Sequence, residues 1–149
     1  MANWRVAQRE SQMPPRGFEK VAEARPQDAQ AWARLCAAGA RGRWRSQTPG
    51  DCDRAVALNP ADSAVRLDRA FMRLGTGKTA AADADFRHVM QAEPTNAPAI
   101  YGHSLVLAMG GNEAASRTDR GRAFDLDPSV PDWVEASYRI MISPAYRTR

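Results

Sequence analysis

The sequence is poor in the features that mark membrane-spanning, secreted and metal-binding proteins. No apolar run approaches the ~20 residues that a membrane helix needs. The first ten residues are polar and lack the apolar stretch of a secretory signal. On these grounds we expect a cytoplasmic protein without a membrane span. The chain has two cysteines and two histidines, and neither pair has the spacing of a zinc site, so we expect no metal and no other cofactor.

The two cysteines, Cys36 and Cys52, fall on different predicted helices. Two cysteines can form one bridge, but they do not resemble the disulfide framework of a small secreted domain. Cys36 stands at a position where the helical repeat described below requires a small buried residue. The favoured interpretation is therefore a reduced thiol that packs in the core.

The chain also lacks a long basic block, although its net charge is +4 and its basic residues are almost all arginine. Acidic residues are interleaved throughout, which favours a solvated, solubilising surface. This distribution disfavours nucleic-acid binding. A surface of arginines that binds RNA or DNA stays as an alternative hypothesis.

A fixed period organises what is present: Pro26, Pro60, Pro94 and Pro128 follow one another at intervals of 34 residues. Apolar residues between them recur at helical spacing, and no segment alternates long enough to predict a strand. A period of this length is typical of stacked helix pairs. The sequence therefore predicts an all-α fold.

The period divides residues 1–149 into a single array. Its predicted parts are an incomplete N-terminal repeat (1–28), three full repeats (29–62, 63–96 and 97–130), and a capping helix with a tail (131–149). Each helix pair buries its apolar face only against its neighbours, so about three pairs are needed for a stable stack.

Several sequence motifs within these repeats resemble the tetratricopeptide repeat (TPR), whose pattern is W-x₂-L-G-x₂-Y, then A-x₃-F, then P. The first repeat has Trp32-x₂-Leu35-Cys36, and the second has Ala82-x₃-Phe86 before its proline. The sequence departs from this pattern at three places. Gly39 stands in place of the large aromatic residue of the first repeat, and the third repeat has Ser116-x₃-Arg120 in place of A-x₃-F. In the second repeat, arginines occupy three core positions: Arg66, Arg69 and Arg73. The resemblance implies a right-handed superhelix of stacked helix–turn–helix repeats and a scaffold that binds peptides or proteins.

The resemblance also implies a concave groove lined by the first helix of each pair. Its candidate residues by phase are Gln30, Arg41, Leu67, Phe71, Tyr101 and Leu105. The Lys-Asn-Arg clamp of one TPR subclass is not matched, because its positions hold Ala33, Ala37, Asp68, Pro98 and Gly102. An apolar groove edged by arginines predicts an extended or helical peptide with acidic flanks.

Three features that could indicate other chemistry have structural interpretations. The string from Gly75 to Thr79 matches the end of a phosphate-binding loop, but residues 63–74 predict a helix rather than the required strand. We interpret the string as a turn with a helix start at Thr79. His103 is interpreted as a packed histidine, without a carboxylate at metal spacing. Trp44 is interpreted as a turn tryptophan, with a basic, aromatic contact point as its alternative.

The function predicted is a non-enzymatic module that binds a peptide or protein partner in its groove. A second hypothesis is an accessory or regulatory array of a larger enzyme or assembly, which the incomplete first repeat motivates. The arginine-based nucleic-acid surface is the third.

Overall fold

The computed structural model describes the backbone of residues 15–42 and 49–149, and the side chains of residues 19–42 and 50–149. In these ranges the chain forms eight α-helices, one short 3₁₀ helix and no strand. The α-helices are α1 (Pro15–Ala24), α2 (Ala29–Arg41), α3 (Pro49–Leu58), α4 (Ser63–Gly75), α5 (Thr79–Ala92), α6 (Ala97–Met109), α7 (Glu113–Leu126) and α8 (Val130–Tyr138), and the 3₁₀ helix is Pro144–Tyr146. The predicted all-α class is confirmed. Trp44 and the polar first ten residues lie outside the described residues.

The four periodic prolines mark the ends of helices. Helices α1, α3, α5 and α7 each end two residues before Pro26, Pro60, Pro94 or Pro128. The proline ring excludes the residue before it from helical geometry, so the helix stops at this point. No helix among the described residues is long and apolar enough to cross a membrane.

Side-chain caps fix the start of several helices. Asp28 accepts hydrogen bonds from the backbone N–H groups of Gln30 and Ala31 at the start of α2. Asn96 and Asn112 cap α6 and α7 in the same way. Such caps satisfy backbone donors that have no partner within the helix, so the helix starts are encoded locally.

The string that resembled a phosphate-binding loop forms a helix C-terminal turn. Gly77 has a φ of 80°, a conformation that favours glycine. The N–H of Lys78 donates to the carbonyl of Arg73, and that of Gly77 donates to the carbonyl of Leu74. These two bonds define a Schellman motif. Gly111, in the next repeat, has the same φ. The predicted turn and helix start at Thr79 are confirmed.

The chain divides into two compact units, Met1–Arg69 and Ala70–Arg149, and the division falls within α4. In the first unit Ala22, Ala31 and Leu35 form a buried cluster that Trp32 covers. Arg54 stacks on Trp32, with its guanidinium carbon 4.8 Å from the ring centroid. This cluster of described residues thus combines two alanines and a leucine with the ring of Trp32.

Cys36 and Cys52 form a disulfide that joins α2 to α3. The interpretation of Cys36 as a reduced thiol is therefore wrong, and the alternative of one bridge is correct. The physical reason is the close approach of the two helices, which places the Cα atoms 4.6 Å apart, within the range that a disulfide spans. Both cysteines are fully buried.

The second unit has an aromatic core. Phe71 stacks on Tyr138 with ring centroids 4.3 Å apart, and it meets Phe86 edge-on at 4.9 Å. All three rings are fully buried. Gly102 on α6 makes room for this group, because a Cβ atom there would lie 2.3 Å from the ring of Phe86. Helix α8, which carries Tyr138, completes the core of this unit.

Arginines at the core positions of α4 pair with carboxylates. Arg69 pairs with Asp53 at 3.0 Å in the first unit, and Arg73 pairs with Asp85 at 2.9 Å in the second. Asp85 is itself buried. A buried carboxylate requires such a partner, so the displaced apolar stripe of this repeat is accommodated by ion pairs.

Candidate functional site

Two of the six groove candidates, Gln30 and Arg41, have polar side chains, and both lie on α2 in the first unit. Gln30, in the first turn of α2, is exposed. Arg41, in the last turn of α2, is half-buried and pairs with Asp68 on α4 at 2.8 Å. Asp68 is only 3% exposed. The guanidinium of Arg41 therefore has a buried carboxylate partner within the chain.

The other four candidates are buried, whereas the resemblance implied that their side chains line an open groove. They are Leu67, Phe71, Tyr101 and Leu105, with exposed fractions between 0% and 8%. The stripe in α4 is displaced relative to the TPR pattern, which turns its apolar side chains into the core. Phe71, for example, is enclosed by Phe86 and Tyr138.

Tyr101 is covered by a later part of the same chain. Its hydroxyl donates a hydrogen bond of 2.8 Å to the backbone carbonyl of Tyr146. Burial raises the pKa of Tyr101 to about 12, so the phenol is protonated at neutral pH and acts as a donor. Tyr146 belongs to residues 142–149, which follow α8 and which we call the closing segment.

The ring of Tyr146 lies against Arg120 on α7. The guanidinium carbon of Arg120 is 5.2 Å from the ring centroid, within the range of a cation–π contact. Arg120 is only 4% exposed, and its guanidinium also contacts Ser116 and Glu113. The cation under the ring is therefore held in place by its own helix.

Acidic side chains hold the arginines of the closing segment. Arg147 forms ion pairs with Asp132 and Glu135, which lie one turn apart on α8. Arg149 pairs with Asp125 on α7. Three helices of the second unit, α6, α7 and α8, thus contact one segment, which contains the 3₁₀ helix Pro144–Tyr146.

The contacts of the closing segment were not predicted from the sequence, although the sequence carries a signal for one of them. Arg120 stands where the TPR pattern places a phenylalanine, and a buried arginine at an apolar position requires a compensating contact. Asp132 and Glu135 left no local signal, because nothing in the pattern connects α8 to residues that follow it.

His103 on α6 lies between two carboxylates from the neighbouring helices. Its Nδ1 atom is 2.5 Å from a carboxylate oxygen of Asp119 on α7, and its Nε2 atom is 3.3 Å from one of Asp83 on α5. The packed position is as predicted, with the side chain 12% exposed. Its carboxylate partners were missed because they come from other helices.

The helical array is similar to a solved structure, the crystal structure of MamA. The likeness covers 84% of this chain and 75% of that chain, with a TM-score of 0.67 and 15% sequence identity. MamA is a TPR-like helical repeat protein. The fold of this chain is TPR-like. No protein-family model and no curated protein matches the sequence, and at this identity the likeness to MamA concerns the fold.

Proposed function

We propose that this chain is a non-enzymatic interaction module that binds a peptide or protein partner. The observation that supports the proposal is the contact between helices α6 to α8 and the closing segment. A side-chain donor to a backbone carbonyl, together with side-chain-specific contacts, is the usual basis of peptide recognition. The TPR-like fold supports the same function.

The proposed contact residues differ from the sequence-based set. Tyr101 is retained through its hydroxyl, and Gln30 is retained as an exposed side chain of α2. Leu67, Phe71 and Leu105 are reassigned to the core, Leu67 in the first unit and the other two in the second. The partner is a protein or peptide rather than a nucleic acid, because Arg41, Arg69 and Arg73 pair with carboxylates of the chain.

The charge of the proposed partner also differs from the sequence-based expectation of acidic flanks. In the second unit the exposed carboxylates of Asp125 and Asp132 pair with the arginines of the closing segment. Opposite charges across an interface favour binding and orient the partner. A partner that contacts this surface is therefore expected to be basic.

The disulfide bears on the compartment in which the module acts. Disulfides persist in oxidising compartments and are rare in the cytosol. The Cys36–Cys52 bridge therefore favours an oxidising compartment over the cytoplasm that the sequence suggested. Mass spectrometry of the protein from its native cells, after blocking free thiols, tests this assignment; two blocked thiols would contradict it.

The proposed function is tested by affinity capture with the immobilised full chain, followed by titration of each captured protein in purified form. We expect saturable, stoichiometric binding that Asp132→Lys weakens at least tenfold. Glu23→Lys is the matched control, because Glu23 is exposed in the first unit and the change in net charge is identical. If no purified protein binds saturably, the interaction-module function is refuted.

A further inference from the structure

Individual side chains of the closing segment make separate contacts with helices α7 and α8 of the second unit. Tyr146 contacts Arg120, and Arg147 contacts Asp132 and Glu135. Tyr101 donates a hydrogen bond to the backbone of the segment. Such contacts are also those that a peptide makes with a recognition site.

We propose that the surface formed by Tyr101, Arg120, Asp132 and Glu135 binds a partner peptide in which an aromatic residue directly precedes an arginine. The closing segment, which has this sequence, occupies the site and competes with the partner. The proposal rests on the proposed function, whose partner class it specifies.

The chemistry of each contact defines one feature of the partner. The hydroxyl of Tyr101 donates to a carbonyl oxygen, which every peptide supplies at every residue. The guanidinium of Arg120 favours a π face above it, which an aromatic residue offers. Asp132 and Glu135 together surround one cation, and the planar guanidinium of an arginine suits two carboxylates better than a lysine does.

The contacts that hold the closing segment are of a kind that another peptide can replace. Two backbone N–H groups, those of Tyr146 and Arg147, donate to carbonyls within the segment itself. The ion pairs of Arg147 are accessible to water, since the side chain of Asp132 is 73% exposed. Exposed ion pairs contribute little free energy to stability and are screened by salt.

The junction between α8 and the closing segment has the features of a hinge. Arg139 ends α8 with a φ of 53°, the left-handed conformation that non-glycine residues rarely adopt. Met141 follows with 93% of its surface exposed, whereas Ile142 is buried. Ile142 thus anchors the start of the segment, and on this proposal the residues after it leave the site while α8 stays in place.

Competition within one chain has a measurable consequence. A segment tethered beside its site acts at a high effective concentration, so an external peptide binds the intact chain with reduced apparent affinity. Removing or disabling the segment restores the intrinsic affinity. We expect an increase of at least tenfold.

The probe is a peptide with the sequence of residues 143–149, labelled with fluorescein at its N-terminal amine and amidated at its C-terminus, so that both terminal groups are blocked. Its anisotropy is titrated with three forms of the chain: the intact chain, a chain that lacks residues 143–149, and the full-length variant Arg147→Glu. The second and third forms should bind the peptide at least tenfold more tightly than the intact chain does. In the peptide, Tyr146→Ala or Arg147→Glu should each weaken binding at least tenfold, and Thr148→Ala is the matched control.

Several results would overturn the proposal. One is a shortened chain that keeps its helical circular dichroism and does not bind the peptide. Another is equal affinity for the native and the Arg147→Glu peptides. If the shortened chain loses its helix content, the full-length Arg147→Glu variant decides, and no gain in its affinity shows that the segment is only a structural part of the fold.

Two further outcomes separate this proposal from related ones. If the intact chain dimerises and the shortened chain is monomeric, the occupant is a second copy, and the assignment to a partner peptide is wrong. If the peptide does not bind while purified partners still bind the intact chain, the interaction-module function stands and the proposed recognition chemistry fails.

Discussion

Gly102 and Gly121 offer a matched test of how the second unit is packed. Both lie inside helices, Gly102 in α6 and Gly121 in α7. A Cβ atom at Gly102 would lie 2.3 and 2.4 Å from two ring atoms of Phe86 and 3.0 Å from Phe71, whereas one at Gly121 would meet nothing within 4 Å. The same substitution to alanine therefore has opposite consequences at the two positions.

The magnitudes follow from two terms. Alanine is favoured over glycine inside a helix by about 1 kcal/mol, and this gain applies to both variants. Overpacking a filled core costs about 1–3 kcal/mol, and this cost applies only at Gly102, because the ring of Phe86 is fully buried and cannot swing aside. Gly121→Ala should thus stabilise the protein by up to about 1 kcal/mol. Gly102→Ala should be less stable than Gly121→Ala by about 1–3 kcal/mol.

Urea denaturation followed by circular dichroism measures the free energy of unfolding of the two variants and the parent. The propensity term cancels when the two variants are compared with each other, so the difference between them reports the overpacking alone. Equal free energies of unfolding for Gly102→Ala and Gly121→Ala would refute the packing of Phe86 against α6.

Two further predictions concern the first unit. Replacing Cys36 and Cys52 together by alanine should lower the free energy of unfolding by about 3 kcal/mol, because a bridge across a sequence separation of 16 restricts the unfolded chain; denaturation curves that are identical with and without reductant would contradict the bridge. Burial raises the pKa of Asp51 from 3.8 to about 6, so between these pH values the folded protein binds a proton that the unfolded chain releases, and stability falls as pH rises. The variant Asp51→Asn should remove this decrease in the free energy of unfolding with pH. An unchanged pH dependence in a series of denaturation curves would contradict the raised pKa of Asp51.

The architecture could be predicted because its determinants are local in sequence. Periodic prolines end helices at fixed positions, Asp28, Asn96 and Asn112 cap the helices that follow, and Gly77 and Gly111 form equivalent turns. Each of these signals acts within one helical turn of the residue that carries it. Knowing the period is therefore enough to place the helices along the chain.

The candidate site could not be predicted because its contacts are distant in sequence. The bond from Tyr101 to Tyr146 spans 45 residues, and the phase of a helix says which face is apolar but not what covers that face. The bridge between Cys36 and Cys52 was missed for a related reason. Its formation depends on the distance between two helices, which their separate sequences do not encode.

The departures from the repeat pattern carried more information about the site than the matches did. Arg120 replaces a phenylalanine and contacts the closing segment, and Arg73 occupies a core position and pairs with Asp85. A charged residue at a buried position is retained only with a specific partner. Such departures therefore indicate where long-range polar contacts occur.

The variant Tyr101→Phe tests the proposed peptide-binding role of the second unit most directly. In a chain that lacks residues 143–149, it removes one hydroxyl and leaves the ring in place. One hydrogen bond contributes about 1 kcal/mol, so the dissociation constant for the labelled 143–149 peptide should rise roughly fivefold, with helix content unchanged. An identical dissociation constant for the tyrosine and phenylalanine forms would contradict recognition of a peptide backbone by Tyr101.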